Sequence, residues 1–315
     1  MSLVIASQLE GGFNDSLRQL PLKPEVITVP EESPWDAARE ADVFLVRPSP
    51  TWKQSHGRAR PDLWPGRLQW VYSASTGVDF YPRWLLEAPL VTCGRGVASD
   101  EIADYVISAI YHRAKGLEGA RVRSLAEWRQ IPLGRVTGST VGIIGFGAIG
   151  QEVARRAIGL EAKVVAVRRR ERENPVPGVQ LLSFLTDVIA AADHIVLALP
   201  GTPATEKLID ARVLAHAKPT AHLINIARGS VIDQTALLAA LDAGQLDFAT
   251  LDVTEPEPLP EGHPIYSHPK IRLTPHISSN YLAVRHRLFD KVAEDLSRFA
   301  RGEAPSDIVD ALAGY

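Results

Sequence analysis

The chain has 315 residues, 45% of them hydrophobic and 23% charged, with a formal net charge of −3. That length points to two domains, and the near balance of charge gives no electrostatic basis for binding nucleic acid or a membrane surface. A lone cysteine, Cys93, excludes an internal disulfide and fits a reducing, cytoplasmic setting; no apolar run approaches membrane-spanning length, and no signal peptide is expected after Met1.

Short apolar runs predict strands at 3–6, 26–29, 43–46, 68–73 and 90–92, spaced as βα units on a parallel sheet. Trp52 and Tyr72 are either core aromatics or walls of a pocket, with core the commoner fate of such residues. Cys93 closes an apolar run (Leu90, Val91), which suits a buried thiol better than a nucleophile. A helix is predicted over 99–114, where Ile102, Tyr105, Val106, Ala109 and Ile110 share one face. The stretch 115–138, rich in Gly and Arg and holding Trp128, reads as an excursion between domains.

A second βα series begins at Thr140. The strand 141–144 runs into Gly145-Phe146-Gly147-Ala148-Ile149-Gly150, and a helical pattern follows at Val153, Ala154, Ala157 and Ile158. Gly-x-Gly-x-x-Gly between a strand and a helix is a dinucleotide-binding arrangement. Gly145 permits the turn, Gly147 lets backbone approach a pyrophosphate, and Gly150 lets the helix lie close to the strand. The helix N-terminus, with its free N–H groups and positive dipole end, suits the phosphates. The next strand, 163–167, leads into Arg168-Arg169-Arg170, and no carboxylate appears before Glu171. An NAD site usually has Asp or Glu here to accept from the ribose hydroxyls, whereas guanidinium groups suit a 2′-phosphate. Arg168 and Arg169 therefore point to NADP over NAD; the plain alternative is a solvated basic loop.

Further strands are predicted at 179–182, 194–199, 222–226, 249–253 and 271–274, with helices at 211–215 and 233–243 among the connections. An amphipathic helix is expected over 283–301, carried by Leu288, Val292, Leu296 and Phe299. Too little chain follows for a third domain, so the tail is expected to return to the first. The predicted division is 1–98 with 281–315, and 99–280.

Three segments at predicted strand ends carry unusual polar residues: Asn225-Ile226-Ala227-Arg228-Gly229-Ser230, Asp252-Val-Thr-Glu255-Pro-Glu257-Pro-Leu-Pro, and Leu273-Thr274-Pro275-His276. In open α/β sheets ligands bind outside the carboxyl ends of strands, so all three fall where chemistry is expected. With the glycine motif, these segments resemble the D-isomer-specific 2-hydroxyacid dehydrogenases over about 71–301. The basic stretch after 167 is similar to the NADP-preferring glyoxylate and hydroxypyruvate reductases among them. The resemblance implies an α/β protein of two doubly wound parallel-sheet domains, a flavodoxin-like substrate domain and a Rossmann-type coenzyme domain with a cleft between them. It also implies a homodimer and a small 2-oxo or 2-hydroxy acid as substrate.

By that resemblance His276 is the acid/base, Glu257 orients its ring, and Arg228 binds the substrate carboxylate. Histidine is suited to giving a proton to a developing alkoxide near neutral pH, and a fixed guanidinium matches a planar carboxylate. Glu255 rivals Glu257; Glu257 is preferred because it directly precedes Pro-Leu-Pro. Taken alone, any of these residues would read as a surface ion pair. The resemblance further implies cofactor contacts at Leu199, Pro200, Thr202, Ile226, Ala227 and Asp252, the last accepting from the carboxamide. It implies substrate contacts through the backbone of Thr76, Gly77 and Val78, within Ser73-Ala-Ser-Thr-Gly-Val-Asp79. Arg47 is either a further substrate contact or a surface charge. No metal site is expected, and His263 and His268 read as solvated loop residues. Competing readings are a dehydrogenase of a larger 2-hydroxyacid and a dinucleotide-sensing scaffold. Formate oxidation is disfavoured, since such relatives pair the histidine with glutamine.

Overall fold

A computed structural model describes residues 3–55, 57–169 and 174–315. The chain forms two compact units, one of 1–97 with 281–315 and one of 98–280. In the first, β1 (Val4–Ser7), β2 (Glu25–Thr28), β3 (Val43–Val46), β4 (Trp70–Ser73) and β5 (Val91–Cys93) alternate with α1 (Gly11–Arg18), α2 (Pro34–Ala38), α3 (Pro50–Gln54) and α4 (Arg83–Leu86). The strands are parallel in the order β2-β1-β3-β4-β5, the flavodoxin-like order. Strands covered on both faces need continuous apolar runs, and β3 and β4 are buried at every position. Trp52 and Tyr72 are both 0% exposed, so they are core residues. The indole N–H of Trp52 donates to Gln8 Oε1 at 2.7 Å, which satisfies its buried polar end. Cys93 is buried as well, and desolvation pushes its thiol pKa up, away from nucleophile chemistry.

The second unit opens with α5 (Ser99–Lys115), which ends at Gly116 in the left-handed conformation. Then come β6 (Thr140–Ile144), α6 (Ala148–Gly159), β7 (Lys163–Val167), β8 (Val179–Leu181), α7 (Leu185–Ala191), β9 (His194–Leu197), α8 (Ala211–Leu214), β10 (His222–Asn225), α9 (Gln234–Asp242), β11 (Phe248–Leu251) and β12 (Ile271–Leu273). All seven strands are parallel, in the order β12-β11-β10-β9-β6-β7-β8. This is the Rossmann order extended by a seventh strand, with its switch point between β6 and β9. A final helix, α10 (Tyr281–Ala300), belongs to the first unit and buries Val284, Leu288, Val292 and Leu296. Among the described residues no helix is long and apolar enough to cross a membrane.

The amino ends of β9 and β10 set His194 beside His222, which are register partners with ring centroids 5.7 Å apart. The two are 7% and 1% exposed, and neither Nδ1 has a hydrogen-bond partner among the described residues. Burial pulls the pKa of His194 down to about 4 and that of His222 well below its ordinary value. In the unfolded chain both take up protons near pH 6.5, so the unfolded state binds more protons between there and about pH 4. Stability is therefore complete above pH 6.5 and falls as the pH drops toward 4, by about 3 kcal/mol from His194 alone. Thermal midpoints measured across that range should decline, and His194→Phe should flatten the decline; an unchanged slope in the variant refutes this.

Candidate active site

Because every strand of the second unit runs the same way, β6, β7, β9, β10, β11 and β12 all deliver their following loops to one edge of the sheet. After β6, Gly145 has φ +98°, and a Cβ there would lie 2.4 Å from Ala198 O, so the turn tolerates no side chain. A Cβ on Gly150 would lie 2.3 Å from Gly145 O, which ties the first turn of α6 tightly against the strand end. At Gly147, by contrast, nothing lies within 4 Å and no side chain caps α6 among the described residues. The orphan N–H groups of that first turn, including those of Ala148 and Ile149, are what a phosphate needs. The ring of Phe146 is buried in the core, so it offers a ligand only backbone.

Arg168 follows β7 directly. It is half-buried, and its Nη2 is buried with no hydrogen-bond partner among the described residues. A guanidinium nitrogen left so is suited to an anionic ligand. Arg169 is exposed, while Arg170 and Glu171 lie outside the described residues. After β9, Leu199 packs on the core and Pro200 is exposed. The loop then closes on itself: Thr205 Oγ1 donates to Pro200 O at 2.7 Å and lies 3.1 Å from Thr202 Oγ1.

At the end of β10, buried Asn225 shapes the turn that carries Arg228. Its amide donates to Arg228 O at 2.9 Å, and its Oδ1 accepts from Ala227 N at 3.0 Å. Ile226 and Ala227 are buried within that turn, and Arg228 Nη1 donates to Ala227 O at 2.8 Å. A Cβ on Gly229 would fall 1.9 Å from the carbonyl carbon of Thr254, so this turn lies flush against the loop after β11. Asn225 had no expected role; an Asn just before a tight turn is the signal for one, through its side-chain bonds to backbone two or three residues on.

In the loop after β11, Asp252 and Glu257 have opposite settings. Asp252 is 1% exposed and accepts from Thr274 Oγ1 at 2.6 Å, Ile277 N at 2.8 Å and Ser278 N at 2.8 Å. Glu257 is exposed, and its Oε1 sits 2.8 Å from His276 Nδ1. The backbone of Glu255, the rival carboxylate, is held at both N and O by the Gln234 amide. His276 itself has φ +53°, a left-handed conformation unusual outside glycine. Its N–H donates to Asp252 O at 2.9 Å and Thr274 O at 3.0 Å, which holds the turn. The imidazole is 48% exposed, and Nε2 is the nitrogen facing away from Glu257.

In the first unit, the loop after β4 is braced by Ser75 Oγ donating to Gly77 O at 2.7 Å and by Gly94 N donating to Ser73 O at 2.9 Å. Thr76 donates from Oγ1 to Gly94 O at 3.3 Å, and Val78 is buried. Among the described residues the backbone N–H groups of Thr76, Gly77 and Val78 donate no hydrogen bond. Arg47 donates to Gln8 O at 3.0 Å and pairs with Glu31 at 3.3 Å, a half-exposed ion pair. His268 departs from the solvated reading. Its side chain is 10% exposed, lies 3.2 Å from Asp242 and accepts from Lys270 N, because it packs into the turn before β12. His263 accepts from Ile265 N as a helix cap. Among the described residues no group of three or more His, Cys, Asp or Glu side chains is arranged to hold a metal ion.

Residues 107–278 match the sequence profile described as D-isomer specific 2-hydroxyacid dehydrogenase, NAD binding domain. The chain belongs to the D-isomer-specific 2-hydroxyacid dehydrogenase family. It is therefore an oxidoreductase with the family's nicotinamide dinucleotide-binding domain. It is 31% identical to glyoxylate/hydroxypyruvate reductase A of Serratia proteamaculans over 289 residues, 88% of each chain. Among solved structures it resembles a family member from Xanthobacter autotrophicus in complex with NADPH and MES, at TM-score 0.83 and 26% identity, with both chains covered at 100%. It also resembles an NADPH-dependent glyoxylate/hydroxypyruvate reductase from Sinorhizobium meliloti in complex with NADP and sulfate, at TM-score 0.79 and 25% identity over 100% of both chains.

Proposed function

We propose that this 2-hydroxyacid dehydrogenase is an NADPH-dependent reductase of small 2-oxo acids such as glyoxylate and hydroxypyruvate, forming the D-2-hydroxyacid. The observation that carries the reading is the His276–Glu257 pair at 2.8 Å, presented on the sheet edge where β6 ends in an uncapped, glycine-opened helix start. When bound, the dinucleotide supplies the hydride. Arg228 holds the substrate carboxylate and polarises the adjoining carbonyl. His276 gives a proton from Nε2 to the carbonyl oxygen as charge builds there, so carbon gains hydride, oxygen gains the proton, and a hydroxyl results. Glu257 fixes the ring through Nδ1. The Nη2 of Arg168, without a hydrogen-bond partner among the described residues and with Arg169 beside it, supports a 2′-phosphate and hence NADP. Asp252, engaged by three internal donors, retains roughly one acceptor direction for the carboxamide. In the first unit, the N–H groups of Thr76, Gly77 and Val78, which donate no hydrogen bond among the described residues, form a nest suited to a carboxylate.

A panel of 2-oxo acids with NADPH, followed by loss of its absorbance, tests the reading. Turnover of glyoxylate or hydroxypyruvate with KM for NADPH at least about tenfold below that for NADH is expected. Retained dinucleotide binding without turnover of any acid would favour a sensing scaffold. We further propose a cytoplasmic homodimer. Its support is the segment 116–135, where Leu117, Leu125 and Trp128 are 67%, 89% and 77% exposed, more apolar surface than a solvated loop needs. Light scattering should give twice the chain mass, and Trp128→Glu should halve it; a monomeric wild type refutes the dimer.

A further inference from the structure

A chain of hydroxyl contacts runs from α5 to the loop that carries His276. Tyr105 Oη lies 2.6 Å from Thr274 Oγ1, and Thr274 Oγ1 lies 2.6 Å from Asp252 Oδ1. The directions are fixed by proton supply. Thr274 Oγ1 donates its single proton to Asp252, so Tyr105 must donate to Thr274. Burial pushes the Tyr105 phenol pKa up, so it keeps the proton it donates. Asp252 then grips both sides of the histidine: its backbone O accepts from His276 N, and its carboxylate accepts from Ile277 N and Ser278 N. His276 needs that grip, because its φ of +53° is a conformation a β-carbon disfavours. With Tyr105 removed, Thr274 loses the donor that sets its hydroxyl, and the buried carboxylate loses a fixed orientation.

We propose that Tyr105 is a positioning residue for His276, acting through Thr274 and Asp252 to hold the 276–278 turn in its reactive geometry. The proposal rests on the reading of His276 as the acid. It assigns no contact between Tyr105 and any ligand. The residue sits on the apolar face of α5, and its ring packs there with the core; the role lies in the hydroxyl.

The test is a set of variants, Tyr105→Phe, Thr274→Val, the double variant, and Thr274→Ser, run beside His276→Asn. Tyr105→Phe should lower kcat for glyoxylate about tenfold, with KM for glyoxylate little changed. The isotope effect with C4-deuterated NADPH should rise as the hydride step becomes slower. Thr274→Val should lose a similar factor, the double variant no more than Thr274→Val alone, and Thr274→Ser should recover most of that loss. Without any dinucleotide, the Ile277 and Ser278 amides should exchange faster in Tyr105→Phe, at a thermal midpoint within about 2 °C of wild type. Tyr105→Phe turnover within about twofold of wild type overturns the inference. So do single losses that multiply in the double variant, or lost activity with an unchanged isotope effect, as a merely structural role would give. Wild-type turnover retained in His276→Asn overturns the underlying reading instead. An inactive His276→Asn beside a fully active Tyr105→Phe overturns this inference alone.

Discussion

Replacing His276 with asparagine is expected to cut kcat for 2-oxo acid reduction by about 10²–10⁴-fold while leaving the protein folded. Asparagine is the informative replacement because it tolerates φ near +53°, so the turn held by Asp252 O and Thr274 O persists. What disappears is the proton that Nε2 would place on the carbonyl oxygen. Dinucleotide affinity, read by fluorescence quenching, should stay within about threefold of wild type, since no proposed cofactor contact is altered. Asparagine cannot serve as an acid in this pH range, so the loss should persist at every pH tested. Turnover within about fivefold of wild type would remove His276 from the chemistry. The accompanying Glu257→Gln change should lower kcat less, because the ring remains but loses the carboxylate 2.8 Å away that orients it.

Gly229→Ala should be the most damaging single methyl in the second unit. An added Cβ would lie 1.9 Å from the carbonyl carbon of Thr254, 2.2 Å from its oxygen and 2.4 Å from Glu255 N. Those are backbone atoms, which cannot swing aside as a side chain can. Overpacking ordinarily costs about 1–3 kcal/mol, and a clash with backbone belongs at or above the top of that range. A loss of about 3 kcal/mol lowers the midpoint of a domain this size by about 6–12 °C. Activity should suffer beyond stability, because the methyl drives the turn bearing Arg228 away from the loop bearing Glu257; kcat/KM should fall more than about tenfold even well below the midpoint. Gly159→Ala, near the end of α6 where nothing lies within 4 Å, is the matched control and should be neutral or stabilising by up to about 1 kcal/mol. Equal midpoints for the two variants would disprove the close-approach argument.

Much of the fold is legible because buried parallel strands need uninterrupted apolar runs. Val43–Val46 and Lys163–Val167 read directly as strands, and most others end within one or two residues of their expected limits. The helix α5 is visible through its apolar face, and the glycine motif through its strand and helix context. The helices α2, α3 and α4 are four or five residues long, too short to express a 3.6-residue period. At the site, the residue types and their strand-end positions are readable, but their contacts are not. Tyr105 reads as one more member of a hydrophobic face, and only the fold reveals that its hydroxyl meets Thr274, 169 residues away in sequence. Asn225 and Gln234 likewise act through bonds to backbone that no spacing announces. His268 misled for a related reason: a proline-rich loop suggests solvent, yet its ring is enclosed by the turn it caps.

The paired imidazoles of His194 and His222 begin β9 and β10, whereas the residues proposed for chemistry follow the far ends of these parallel strands. The groups expected to govern acid tolerance and those proposed for catalysis thus lie on opposite rims of one sheet. A designer seeking a reductase for sour media could replace that aromatic couple with hydrocarbon side chains and leave the business edge untouched.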